Sequence, residues 1–328
     1  MNILVTGGAG YIGSVIVEAL LRRGHQVVVI DDLSKGHRSA VTAPARLLEV
    51  GLDDRDAVKR VLANSRVEAV IHMAAFSLVG ESMQQAGKYF RNNVINSLNL
   101  VEGMLAAGIT RLVFSSTAAV YGEPERTPIT EDFRLAPTNV YGESKLAFER
   151  MLRWFDEVHG LKWVALRYFN AAGATERLGE DHDPESHLIP NVLQVPLGKR
   201  AQVALYGTDY PTPDGTCIRD YVHVADLAAG HILALEALSR GAVGSGAYNL
   251  GSGSGYSNRQ VIEAARRVTG HPIPVVEEAR RPGDPPALVA SSERMMRALG
   301  WAPRFPGIED IVASAWRWHQ RFPQGYEA

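Results

Sequence analysis

Ile3-Leu4-Val5-Thr6-Gly7-Gly8-Ala9-Gly10-Tyr11-Ile12-Gly13 decides the fold. A short β-branched run leads straight into Gly7-x-x-Gly10-x-x-Gly13, and an apolar helical pattern from Tyr11 to Arg23 follows, stopped by Gly24. Glycines at this spacing, between a strand and a helix, permit a tight turn. They let backbone N–H groups approach a pyrophosphate at a helix N-terminus. Gly13 lets that helix pack close to the sheet.

Outward from this turn, strands and helices alternate. Val27–Ile30, Leu47–Val50, Ala69–His72, Leu112–Ser115 and Trp163–Tyr168 are apolar on both faces, as parallel strands buried under helices must be. Helical patterns at Asp54–Ala63, Lys88–Ala107 and Asn139–His159 lie between them, the last two ended by Gly108 and Gly160. The pattern predicts an α/β, Rossmann-type doubly wound parallel sheet over residues 1–170. Residues 171–328 are read mainly as a smaller C-terminal α/β substrate-binding lobe, with returns to the first domain near 218–252. Within this lobe 173–190 and 206–216 read as loops, Val224–Leu238 as a helix and Ala247–Leu250 as a strand.

Composition narrows the function classes. Among 328 residues, 34 basic against 36 acidic side chains give a net charge of −2. That offers no excess of cations for a nucleic-acid backbone. One cysteine, Cys217, allows neither an intrachain disulfide nor a Cys-rich zinc site, and no metal is expected. No apolar run reaches the ~20 residues of a membrane span. The start, Met1-Asn2-Ile3-Leu4-Val5, lacks the basic region and cleavage site of a signal peptide. A cytoplasmic protein is expected.

Two constellations carry chemistry. Asp31-Asp32 ends the second strand, where a carboxylate accepts ribose hydroxyls and repels a 2′-phosphate, favouring NAD, although Lys35 and Arg38 lie nearby. Tyr141 and Lys145 stand at i and i+4 on one helix face. An ammonium beside a phenol favours the phenolate, so a lowered Tyr141 pKa is expected, with Lys145 and a positive nicotinamide ring as the cause. Ser115-Ser116-Thr117 ends a strand on the side where ligands bind in this fold. Hydroxyl, phenol and lysine together form a proton-transfer set next to a hydride acceptor.

The glycine turn with Thr117, Tyr141 and Lys145 resembles the extended short-chain dehydrogenase/reductase superfamily. Further stretches resemble its UDP-glucose 4-epimerase family: Val79-Gly80-Glu81-Ser82, Asn92-Asn93-Val94, Ala119-Val120-Tyr121-Gly122, Arg167-Tyr168-Phe169-Asn170, Asp214 to Val224, Arg281-Pro282-Gly283-Asp284 and Pro323-Gln324-Gly325-Tyr326. The likeness spans residue 1 to about 326.

It implies epimerisation at carbon 4 of a UDP-sugar, with a tightly held NAD regenerated in each cycle, and a homodimer. By the same resemblance, Thr117, Tyr141 and Lys145 are catalytic. The cofactor lies against Gly7, Gly10, Tyr11, Ile12, Gly13, Asp31, Asp32, Leu52, Ala74, Ala75, Asn92, Ser115, Tyr141, Lys145 and Tyr168. Asn170 and Arg219 hold the diphosphate with Arg281 as a second cation, and Asp284 accepts the uridine ribose. Thr117, Tyr141, Phe169, His187, Leu188, Ala204, Leu205, Tyr206 and Tyr221 line the rest of the substrate site.

Three positions depart from the family pattern. Gly51 stands where an acid reads adenine, leaving Asp53 or Asp54 to substitute; Ser77 stands where some members have Lys; Leu288 stands where a residue gates N-acyl groups. Epimerases of UDP-N-acetylhexosamines or UDP-pentoses remain alternatives, with a non-catalytic dinucleotide sensor the rival from another class. A 4,6-dehydratase is disfavoured, because Ala118-Ala119 rather than acids follow Thr117.

Overall fold

The computed structural model describes residues 1–281 and 283–327; Pro282 of the Arg281–Asp284 motif and Ala328 lie outside the described residues. Seven parallel strands form the central sheet: β1 Asn2–Thr6, β2 Gln26–Asp31, β3 Arg46–Glu49, β4 Ala69–His72, β5 Arg111–Thr117, β6 Lys162–Tyr168 and, later in the chain, β10 Gly246–Leu250. Their order is β10-β6-β5-β4-β1-β2-β3. The order reverses between β1 and β4, the point beyond whose strand C-termini the binding crevice of such sheets lies.

Both faces are covered, so the strands are apolar on both sides. Helices α1 (Tyr11–Arg22) and α8 (Val224–Ser239) bury Val15, Ile16, Leu20, Leu227 and Leu235 against one face. Helices α2 (Arg55–Asn64), α5 (Asn96–Ala106) and α6 (Val140–His159) bury Val58, Leu62, Leu100, Met104, Phe148 and Leu152 against the other. Asn139 caps α6 by accepting from Gly142 N–H, and Gly160 stops it in the left-handed conformation. The single helix expected over Lys88–Ala107 is instead α4 (Ala86–Phe90), a wider turn at Arg91–Ile95, and α5; α3 (Val79–Gln84) precedes them. Asn92 and Asn93 sit in the wider turn, from which Asn93 reaches Phe76 of the β4–α3 loop.

The second lobe gathers β7 Asn170–Ala172, β9 Ile218–His223, β11 Gly255–Ser257 and β13 Ala287–Leu288 into one small sheet centred on β9. β8 Val203–Tyr206 and β12 Val275–Glu278 form a parallel pair. α7 Leu188–Leu193, α9 Asn258–Thr269 and α11 Ile308–Arg321 pack over a separate core of Ile189, Val192, Val261, Ile262, Ile311 and Val312. α10 Glu293–Leu299 packs against β10. β6 and β7 are separated by Phe169 alone, so the chain passes from the sheet edge of the crevice directly into the second lobe. Among the described residues no helix is long and apolar enough to cross a membrane.

Candidate active site

The glycine turn is built for close approach. Gly7 has φ 68°, and a Cβ there would lie 2.6 Å from Ala74 N. A Cβ on Gly13 would lie 2.0 Å from Gly7 O, so the helix start and the turn touch through their backbones. Tyr11 opens α1 and donates its hydroxyl to Gly173 O at 2.5 Å, tying the turn to the second lobe. Ile12, beside it, is half-buried. Buried Asp31 braces the turn, accepting from Ala9 N–H and Leu33 N–H at 2.9 Å each. Its neighbour Asp32 is exposed and uses one oxygen on Ser34. Both nearby cations are already engaged: Lys35 Nζ donates to Asp183 O at 2.6 Å, and Arg38 pairs with Glu49. This arrangement fits an unphosphorylated adenosine ribose.

Gly51 leaves room that another residue fills. A Cβ there would fall 2.2 Å from Asp53 Oδ1, so the Asp53 carboxylate folds back over residue 51. Asp54 is occupied as the cap of α2. Asn99 Nδ2 donates to Leu52 O at 2.9 Å and fixes this corner. Past β4, half-buried Ala74 and Ala75 border the turn. Asn93 holds the loop behind them, accepting from Phe76 N–H at 2.9 Å and donating to Phe76 O and Ser144 Oγ at 3.0 Å each. Asn92 donates to Asn93 Oδ1 at 3.0 Å and keeps its own carbonyl free of that network.

The fold brings the expected catalytic set together. Thr117 ends β5, where its hydroxyl accepts from Ala119 N–H at 3.1 Å and its side chain acts on the Tyr141 phenol to lower its pKa. Lys145 Nζ donates to Ser115 O at 2.8 Å, and Ser115 Oγ pairs with Tyr168 Oη. The expected lowering of Tyr141 includes the charge of a nicotinamide ring; in the protein alone burial pushes its phenol up to about 12, with Thr117 acting the other way, and burial draws Lys145 down to about 7. The ammonium sits 6.0 Å from the Tyr141 ring centroid and spends a hydrogen bond on a carbonyl. Desolvation thus outweighs the ammonium–phenol attraction in the protein alone.

Behind this set lies a network that motif reading did not assemble. Glu149, one turn after Lys145, forms a buried pair with Arg167 at 2.6 Å. Arg167 donates to Tyr121 Oη at 3.0 Å, Tyr121 donates to Asn249 Oδ1 at 2.7 Å, and Ser116 Oγ donates to Glu149. It joins β5, β6, β10 and α6 under Thr117 and Lys145. Arg and Glu inside otherwise apolar strand and helix patterns were its one sequence signal. A buried imidazole, His72, bridges Thr6 Oγ1 at 2.7 Å and Ser97 Oγ at 2.8 Å beneath the turn.

The opposite wall belongs to the second lobe. Thr117 pairs in register with Tyr168, so Phe169 and Asn170 lie just beyond the crevice edge. Asn170 in turn pairs with Tyr221 on β9. Arg219 donates to Asp284 Oδ1 at 2.9 Å and to Ile218 O and Pro285 O at 2.8 and 2.9 Å. The Arg281 guanidinium stacks 4.0 Å from the Tyr206 ring centroid. Along β8, Ala204 and Tyr206 face outward, whereas Leu205 is buried in the lobe core, so its side chain is turned away and its main chain alone faces this wall. His187 caps α7 and Leu188 begins it. The His187 ring bonds Glu180, which raises its pKa to about 9. Leu288 packs with Phe133, Leu135 and Phe169.

The chain is similar to known proteins along its whole length. The model of the NAD dependent epimerase/dehydratase family matches residues 3–251. The UDP-glucose 4-epimerase of Halalkalibacterium halodurans is 52% identical, over 99% of this chain and 98% of that one. A crystal structure of a UDP-glucose 4-epimerase superposes with a TM-score of 0.97 at 48% identity, covering 100% of both chains. That of UDP-glucose 4-epimerase from Brucella ovis in complex with NAD gives 0.93 at 44% identity, over 96% of this chain and 97% of the other. The chain therefore belongs to the NAD dependent epimerase/dehydratase family, an enzyme of the extended short-chain dehydrogenase/reductase superfamily with NAD as its cofactor. Within that family its place is among the UDP-glucose 4-epimerases.

Proposed function

We propose that the chain interconverts UDP-galactose and UDP-glucose through a transient 4-keto sugar, in the crevice between the glycine turn and the second lobe. The observation that carries the reading is the meeting of Thr117, Tyr141 and Lys145 at the C-terminal end of β5. When bound beside Tyr141, NAD would supply hydride-transfer chemistry and a positive ring that favours the Tyr141 phenolate.

The chain's own residues do the rest. Tyr141 removes the proton of the 4-hydroxyl, directly or through Thr117, and gives it back on the return. Lys145, fixed by Ser115 O and drawn down to about 7, sets an amine that gains or loses its proton near neutral pH on the same helix face as the phenol. Asn170 and Arg219 hold the diphosphate with Arg281 as a second cation, since planar guanidinium groups match phosphate oxygens. Asp284 accepts from the uridine ribose, while His187, Ala204 and Tyr206 border the nucleotide. Holding the ligand by its diphosphate leaves the sugar free to turn and present its other face. On the cofactor side Asp32 takes the adenosine ribose, and the Asp53 carboxylate over Gly51 takes the adenine amino group.

The exposed apolar side chains of Met83, Phe90, Ile95, Trp154 and Val158 lie on α3 to α6 and form a face for a second copy of the chain. A free, buried Cys217 accords with a reducing, cytoplasmic setting. Incubation with UDP-galactose, without added NAD, tests the reading: it predicts UDP-glucose among the products. Light scattering tests the dimer, predicting twice the chain mass for the native protein and the single-chain mass for I95E/W154E.

A further inference from the structure

Between β7 and α7 the chain carries Glu180, His182, Glu185 and His187 within eight consecutive residues. Their donor atoms, one per residue, all lie within 4.8 Å of one another. His182 Nδ1 is 3.1 Å from Glu180 Oε1 and 3.9 Å from Glu185 Oε2. His187 Nδ1 is 4.0 Å from Glu185 Oε1 and also bonds Glu180. Both carboxylates are deeply buried, their side chains 4% and 7% exposed.

Two carboxylates so close and so dry repel each other unless positive charge lies between them, carried either as protons on the two imidazoles or by a cation that replaces those protons. Buried anions of this kind require a compensating charge. Tetrahedral coordination at ~2.1 Å places neighbouring donors about 3.4 Å apart, which falls within the observed spread. Two imidazole nitrogens with two carboxylate oxygens form a borderline set that suits zinc-class divalent ions rather than calcium or magnesium.

The geometry points to a site for one zinc-class divalent cation at Glu180, His182, Glu185 and His187. The ion neutralises both carboxylates and crosslinks a loop that lies over the cofactor turn. The His182 ring meets Tyr11 edge-on at 6.1 Å, and Tyr11 is the first residue of α1. The same loop reaches Lys35 through Asp183 O and Tyr326 N–H through Asp181. A crosslink here would fasten the segment joining both walls. Reading the sequence for cysteine frameworks passes over this quartet, because its ligands are oxygens and imidazoles.

The test uses the full chain, stripped with a chelator and dialysed against Zn²⁺ alone. The proposal expects one tightly held equivalent and a binding constant roughly 100-fold weaker in H182A/E185Q. Equal binding by that variant, or no stoichiometric uptake by the native chain, would overturn it. Should the variant not fold, Co²⁺ in the native chain decides the matter. Intense visible bands of a four-coordinate ion support the site, and the weak spectrum of a six-coordinate ion refutes it.

Discussion

The two walls of the crevice work by different means. The wall made by β1, β4, β5 and α6 offers backbone N–H groups, a tight glycine turn and side chains whose charged forms burial disfavours: Tyr141 at about 12, Lys145 near 7, and His72 pressed down to about 3. The wall made by residues 180–187, 206–219, 281 and 283–288 offers charges on β9 and the loops beside it: Arg219 with Asp284, Arg281 over Tyr206, and His187 with Glu180. A wall of fixed dipoles suits a cofactor that stays, while paired charges set largely on loops suit a ligand that must enter, turn and leave.

Substitutions that strip one wall alone put this contrast at risk. Tyr141→Phe removes the proton acceptor and should lower kcat by about 10³-fold while retaining bound NAD. Loss of NAD along with activity would show that the phenol serves binding instead. Glu149→Gln leaves Arg167 as an unpaired buried cation and should destabilise the chain by about 3–5 kcal/mol in urea unfolding. A change below 1 kcal/mol would deny the network its role beneath the catalytic set. Arg219→Leu should raise KM for the UDP-sugar about 100-fold with NAD content unchanged, and binding of UDP alone should weaken equally. Asp53→Ala should speed loss of NAD during gel filtration by about ten-fold without moving KM, a split between the walls that Asp54→Ala should not reproduce.

Acid gives a further, smaller separation. His72, His223 and His231 are buried and neutral, lowered by desolvation to about 3, 4 and 4 from an ordinary 6.5. As pH falls below 6.5 the unfolded chain takes up protons that the folded chain refuses, so stability drops with pH. By pH 5.5 the loss is about 1.4 kcal/mol for each, or about 4 kcal/mol for the three, and His187, raised to about 9 by Glu180, offsets part of it. Urea unfolding at pH 7.5 and 5.5 measures it, and a pH-independent midpoint would contradict the burial of these rings.

What could be read from the sequence follows the same division. The glycine turn, the alternating strands and the Tyr141–Lys145 pair are local patterns, and local patterns are legible because spacing sets geometry. The second wall had no such pattern. Arg219 and Arg281 look like surface cations until resemblance and the folded chain set them beside Asp284 and Tyr206. Leu205 shows the limit from the other side: alternation along β8 sends its side chain into the core, which residue identity does not reveal. Tyr141 shows a different limit. Its i, i+4 partner was legible, but the sign of its pKa shift depends on burial and on Lys145 turning to Ser115 O. The network of Glu149, Arg167, Tyr121 and Asn249 spans 128 residues between Tyr121 and Asn249, beyond the reach of any short motif.

The most direct test of the account is to purify the chain without adding NAD, give it UDP-galactose, and separate the products by chromatography. The account predicts UDP-glucose, formed by native protein and not by Tyr141→Phe. No product from native protein, even with NAD supplied, would contradict it.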